Sequence, residues 1–282
     1  MVKGVKIIIS IIKSNFAGWV TNYKIYISII LLLIFSLDNY RNVFDFASQQ
    51  GYRVTPYLFP FLFTHPFMHL VIFSCTIFLF SNAPFVNSMQ MLIMSRSGKR
   101  NWYVAQMIYI LICSVCLTIF LLLIPIIANL NMIVLKNGWG KVITTLSVNN
   151  TIVNPISYST ISRYSADKAM AYSVFMFVLL IFSIGMLLFF CNTIFHNQSI
   201  GILVTVAFVI LDWTCYLTGS SDLLWISPIS WINITRMSFA GDTEVPSVTY
   251  GFITMMIVNI TLIIASNLLA KKQDINILEE EI

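Results

Sequence analysis

Charge is the scarcest property of this 282-residue chain: Asp, Glu, Lys and Arg together make up 10% of it. A soluble domain of ordinary composition carries about 25%, so this sequence cannot clothe a water-facing surface. Histidine occurs three times, and Asp plus Glu number 11. Asp38, Asp45, Asp167, Asp212, Asp222, Asp242 and Glu244 are scattered in loops or at helix ends, with no pairing of carboxylates for general acid–base work. The net charge of +5 contains no long basic run, which argues against a nucleic-acid partner.

The five cysteines form no disulfide framework, because they lie in or beside apolar runs and read as small buried hydrophobes. Cys113 and Cys116 share a helix face, but no His or second Cys pair nearby completes a metal site. His65 and His69, in THPFMH, have a spacing that can place two imidazoles on one metal. A proteolytic zinc helix needs Glu beside the first His. Pro66 stands there, and His196 is expected on the opposite membrane side. The two read as a polar cluster at the outer mouth of a helix. A nucleotide cradle is missing too. Gly98-Lys99 lacks the preceding glycine and following Ser or Thr of a P-loop, those positions being Ile93 and Arg100. The chain is therefore expected to be no enzyme, with no metal and no cofactor of its own.

Apolar residues are what it has, at 58%, with a mean hydropathy of +0.86. Six runs approach the roughly 20 residues that span a bilayer: 19–37, 66–86, 103–128, 170–192, 200–217 and 248–270. The expected fold class is an all-α membrane protein with six transmembrane helices over 19–270 and a cytoplasmic tail over 271–282. In the first span Lys24 must snorkel, with Trp19 and Tyr23 at the interface. Pro125 is tolerable near the end of the third. Only FHNQS separates the fourth from the fifth, which predicts a tight hairpin. Residues 1–18 interleave Lys3, Lys6 and Lys13 with isoleucines, the pattern of an amphipathic interfacial helix.

Nine of the 16 Lys and Arg residues fall on the side that holds the N-terminus, in the shorter total length of loop. That places both termini in the cytoplasm. On the outer side, 131–169 is rich in Asn, Ser and Thr. Residues 218–247 are apolar and aromatic but broken by Pro228, as short helices dipping into the outer leaflet would be. Asp212, in VILDWTCY, lies within a span, where an acid is a functional candidate. Trp213 and Tyr216 beside it argue for a hydrated helix end instead.

The stretch 87–105, NSMQMLIMSRSGKRNWYVA, sets a short apolar lead-in before a basic knot. Arg96, Gly98, Arg100 and Trp102 resemble the basic "R-x-G-x-R-x-x-W" coupling segment of ABC-2 type exporter permeases, with Trp102 one residue earlier than in that template. The amphipathic N-terminus looks like that family's elbow helix. Lys271, Lys272, Asp274 and Ile275 resemble its C-terminal finish, and Ser227-Pro228 its step before the last span. The resemblance implies a permease subunit of an ATP-driven bacterial exporter in the cell membrane, surrounded by lipid. A second permease copy or a paralogue would complete the conduit, and separate ATP-binding subunits would carry ATP and Mg. It further implies a cytoplasmic coupling helix between spans 2 and 3, with Met91, Leu92, Arg96, Gly98, Lys99, Arg100 and Trp102 at the ATPase interface. A hydrophobic or amphipathic cargo such as an antimicrobial peptide, drug or lipid suits the small loops and Phe- and Met-rich spans. The alternatives are a stand-alone secondary carrier, a membrane immunity protein, or a membrane enzyme built on His65 and His69.

Overall fold

The computed structural model describes residues 2–85, 98–149, 156–238 and 244–272. Its regular elements there are helices, with no β-strand among the described residues. The α-helices are α1 (Val2–Ala17), α2 (Tyr23–Gln50), α3 (Pro66–Phe80), α4 (Lys99–Ala128), α5 (Gly140–Val148), α6 (Tyr158–Arg163), α7 (Ala166–Phe195), α8 (Gln198–Thr218), α9 (Ser221–Ile226) and α10 (Val248–Lys272). Five of them, α2, α4, α7, α8 and α10, are long and apolar enough to cross a membrane. The chain is an all-α protein with the character of a multi-pass membrane protein.

Helix ends depart furthest from the expected bounds in the first two spans. α2 starts at a cap, where the Asn22 side chain accepts the Lys24 backbone N–H at 3.1 Å, and it continues well past residue 37. Hydropathy falls there, but Tyr40, Val43, Phe44 and Ala47 keep helical spacing and are buried. Asp38, Arg41 and Asp45 take the exposed side. The helix stops only at Gly51, whose φ of 66° suits a residue without Cβ. α3, the second expected span, has 15 residues, or about 22 Å against a hydrocarbon layer of about 30 Å. Pro66 starts it, and the 3-10 turn Phe59–Phe63 before it is wholly buried.

α7 is the central helix, packing against α3, α4, α8 and α10. Its approach to α4 depends on Gly185, because a Cβ there would lie 2.5 Å from Ile110 Cγ2. The FHNQS corner is as tight as expected: α7 ends at His196 in the left-handed region, and Asn197 caps α8 by accepting the Ser199 N–H at 2.8 Å. Near the middle of α10, the Asn259 amide donates to the Leu179 carbonyl at 3.1 Å and accepts from the Ser183 hydroxyl at 3.0 Å.

Contacts between helix ends show that the chain runs up and down. At one end, Lys24 Nζ donates to Ser81 Oγ and Asn82 Oδ1, both at 2.6 Å. The Asn192 amide there donates to the carbonyls of Ser81 and Ala83. α1 packs on α4 at this end, burying Ile11 and Asn15 while Lys6 and Lys13 stay exposed. Asn15 donates to Gln106 at 3.1 Å, and Trp19 Nε1 to Tyr109 at 2.6 Å. At the other end, Tyr57 donates to Asp167 Oδ1 at 2.6 Å. The 131–169 stretch is an ordered cap where described: Val54 bridges Met132 and Val134, and Trp139 Nε1 donates to the Tyr164 carbonyl. Where described, residues 218–238 form α9 and two 3-10 turns, Ser230–Ile232 and Ile234–Arg236, with Ser227, Ser230, Trp231 and Asn233 buried.

Candidate functional site

Two polar clusters stand out, one at each end of the bundle. The first is the basic entrance to α4. Gly98 precedes the helix at φ 82° and ψ 143°, a conformation nearly confined to glycine. Lys99 and Arg100 form the first turn, which holds no acidic residue, and Arg100 is exposed. Cations at a helix N-terminus oppose its dipole by about 0.3–1 kcal/mol each. Trp102 is buried, its ring 5.3 Å from that of Tyr103, which in turn meets Phe189 at 5.6 Å. Its indole therefore anchors the start of α4 in the bundle. Met91, Leu92 and Arg96 lie outside the described residues.

The second cluster brings together residues far apart in sequence. His69, in the first turn of α3, directs Nδ1 at Asp212 Oδ2 over 2.9 Å and Nε2 at the Phe63 carbonyl over 2.8 Å. Asp212 Oδ1 accepts the Ser230 hydroxyl at 2.6 Å, and Ser230 lies 2.8 Å from the Ser227 hydroxyl. His69 is 3% exposed and Asp212 2%. The reading of Asp212 as a hydrated helix end is corrected: it faces inward, two turns before α8 ends, and Ser230 and His69 take the place of water. Trp213 and Tyr216 flank it in sequence but pack with each other, 6.3 Å apart.

His65 takes no part in this pair; it stands at the cap of α3 with no side-chain bond to the helix. Among the described residues, no three His, Cys, Asp or Glu side chains group as metal ligands. Nothing in the sequence paired His69 with Asp212, 143 residues apart. The only signal was that each was a lone polar group in an apolar run.

A hydrogen-bond inventory limits where protons sit. A backbone carbonyl can only accept, so the bond to Phe63 requires hydrogen on Nε2. Nδ1 bonds a carboxylate oxygen only when it too carries hydrogen, so a neutral ring can donate along one of the two lines and an imidazolium along both. Comparison with protein-family models, curated proteins and solved structures finds no match for this chain.

Proposed function

We propose that the chain is the permease subunit of an ATP-driven exporter, with residues 87–102 as the docking segment for a separate ATP-binding subunit. The observation that carries this reading is the entrance to α4. Arg100 is exposed in the first turn of a helix that holds no acidic residue in that turn, a position where acidic groups on a partner would meet it favourably. Trp102, buried beside Tyr103, would transmit movement of the docked segment into α4. Met91, Leu92 and Arg96 would complete the contact, the apolar pair supplying affinity and the charges orientation.

In this reading both termini face the cytoplasm, α1 lies in the membrane interface as an elbow, and α3 counts as a sixth, short span. Two permease copies, or this chain with a paralogue, form the conduit. The exposed apolar faces of α8 and α10, including Leu203, Ile210, Ile253 and Ile257, suit lipid or that second copy. ATP and Mg belong to the partner, and the cargo is hydrophobic or amphipathic, such as an antimicrobial peptide, drug or lipid.

The test is to look for a Walker A reading frame beside this gene and co-express its product with this chain. The wild-type chain should co-purify with that subunit and stimulate its ATP hydrolysis. Arg96→Glu with Arg100→Glu should insert normally and lose both effects. Unchanged stimulated hydrolysis in the double variant would refute the reading. A stand-alone carrier or immunity protein is the second reading, favoured by the buried His69–Asp212 pair. It requires full function from this chain expressed alone.

A further inference from the structure

α2 and α4 run through the bundle in the same direction and pack on each other. Each carries an exposed apolar stripe toward the end away from α1. On α2 the stripe is Ile27, Ile30 and Ile34; on α4 it is Ile119, Leu123 and Ile127, all at helical spacing. Where the stripes end, a cleft of about 520 Å³ opens between the two helices, a volume usual for a small-molecule site. Its lining changes character along α2. Leu33, Ile34 and Leu37 come first, Asp38, Arg41 and Asp45 follow, and the end of α4 at Ala128 completes it.

That change falls at a particular depth. Asp38 and Asp45 stand about 22 and 33 Å beyond Tyr23, where α2 begins, at the rise of an α-helix. The hydrocarbon of a bilayer is about 30 Å thick. With Tyr23 and Lys24 near one face, the three charges lie at the headgroup level of the other. The stripes then lie at the depth of the acyl chains.

The three charges do not satisfy one another. Arg41 Nε stands 3.7 Å from Asp45 Oδ2, too far for a hydrogen bond, and the two side chains are 74% and 63% exposed. One cation sits between two carboxylates, each about one helical turn away, so the cleft keeps a net negative charge. α4 ends there as well, and the C-terminus of a helix is the negative end of its dipole. A purely anionic headgroup would be repelled by the surplus carboxylate. A headgroup with a phosphate for Arg41 and an ammonium for Asp38 or Asp45 matches all three.

We propose that this cleft binds the headgroup of a phospholipid of the phosphatidylethanolamine type, with its acyl chains along the two apolar stripes. The phosphate meets the Arg41 guanidinium. The primary ammonium donates to the Asp38 and Asp45 carboxylates, which a choline headgroup cannot do because its nitrogen carries no hydrogen. The site uses neither the α4 entrance nor the His69–Asp212 pair, so it is independent of both functional readings.

Native mass spectrometry of the full chain, delipidated in mild detergent, tests this with three phospholipids that share acyl chains and differ in headgroup. The ethanolamine lipid should bind roughly tenfold more tightly than the choline or glycerol lipid, as one charge-assisted hydrogen bond implies. Asp38→Asn with Asp45→Asn should abolish that preference, and Arg41→Gln should weaken all three lipids alike. These side chains are exposed, so the variants should melt with the wild type. Equal affinity for the three headgroups in the wild-type chain would mean annular lipid only and would overturn the proposal. So would a preference that survives the double carboxylate variant.

A photoreactive ethanolamine lipid gives the location. Label should concentrate in peptides covering 33–45 and 119–129, and label confined to other helices would overturn the assignment. A second copy seated on the cleft would appear as a dimer that takes up no ethanolamine lipid, with the same consequence. None of these measurements involves transport or ATP, so failure here leaves the exporter reading standing, and the reverse is also true.

Discussion

Replacing Asn259 with leucine, alone and with Ser183→Ala, measures how much an amide contributes when it bridges two apolar helices. Asn259 is 4% exposed. Its cross-helix bonds run to the Leu179 carbonyl at 3.1 Å and from the Ser183 hydroxyl at 3.0 Å; a third goes to Met255 within α10. Hydrogen bonds between membrane helices average about 0.6 kcal/mol and reach about 1.7, so the two cross-helix bonds should contribute about 1.2 kcal/mol. Leucine leaves no orphan, because Ser183 also donates to the Leu179 carbonyl at 2.8 Å. Asn259→Leu should therefore cost about 1 kcal/mol or less once the gain from an apolar side chain is included. Ser183→Ala removes one hydroxyl but strands the Asn259 oxygen, a loss of about 1–3 kcal/mol. The smaller deletion is thus expected to cost more, and the double variant should cost no more than Asn259→Leu alone. Reversible unfolding in mixed detergent micelles, read by tryptophan fluorescence, gives the three values. Additive costs in the double variant would refute the bridge.

Gly185→Ala should destabilise by about 1–3 kcal/mol, since its Cβ would press on Ile110 Cγ2 at 2.5 Å. Ile110→Leu, which moves the branch off Cβ, should recover much of the loss in the same unfolding measurement. Gly98→Ala places a Cβ on a backbone at φ 82° and ψ 143° and should lower stability by about 1–3 kcal/mol, seen as a lower melting temperature. Its surroundings are open, so a loss far above that range would count against strain as the cause. The hydrogen bond to Asp167 holds the Tyr57 phenol above its ordinary range, with burial and the Asp167 charge adding to it. A raised folded value means this contribution is present below the ordinary tyrosine range and is lost as pH climbs through the folded one. Melting temperatures of wild type and Tyr57→Phe should therefore differ near neutrality and converge in alkali.

Helix periodicity and hydropathy are local properties, and the apolar runs at 103–128, 170–192, 200–217 and 248–270 each fell within a helix. The caps at Asn22, Gly51 and Asn197 that set ends of α2 and α8 also need only neighbouring residues, but hydropathy does not register them. The amphipathic pattern of 1–18 likewise became a helix with Ile11 buried and Lys6 and Lys13 exposed. Hydropathy misjudged α2 because a span and a helix are different things: the helix persists to Gln50 on periodic burial of Tyr40, Val43, Phe44 and Ala47 after the apolar run has ended. It overestimated α3 because the span was carried through Ser81, Asn82 and Pro84 to residue 86, while the helix ends at Phe80.

Composition alone determined that this chain is a helical protein suited to a membrane: with 10% charged residues, no water-facing surface could be built, and backbone groups in an apolar setting must bond within their own helix. Only the tertiary structure decided what its rare polar residues do. Asp212 read as a wet helix end because its neighbours Trp213 and Tyr216 favour an interface. The fold instead turns Asp212 inward onto His69 and Ser230. A side chain's burial depends on which face of its helix meets which other helix, and no local pattern carries that information across 143 residues.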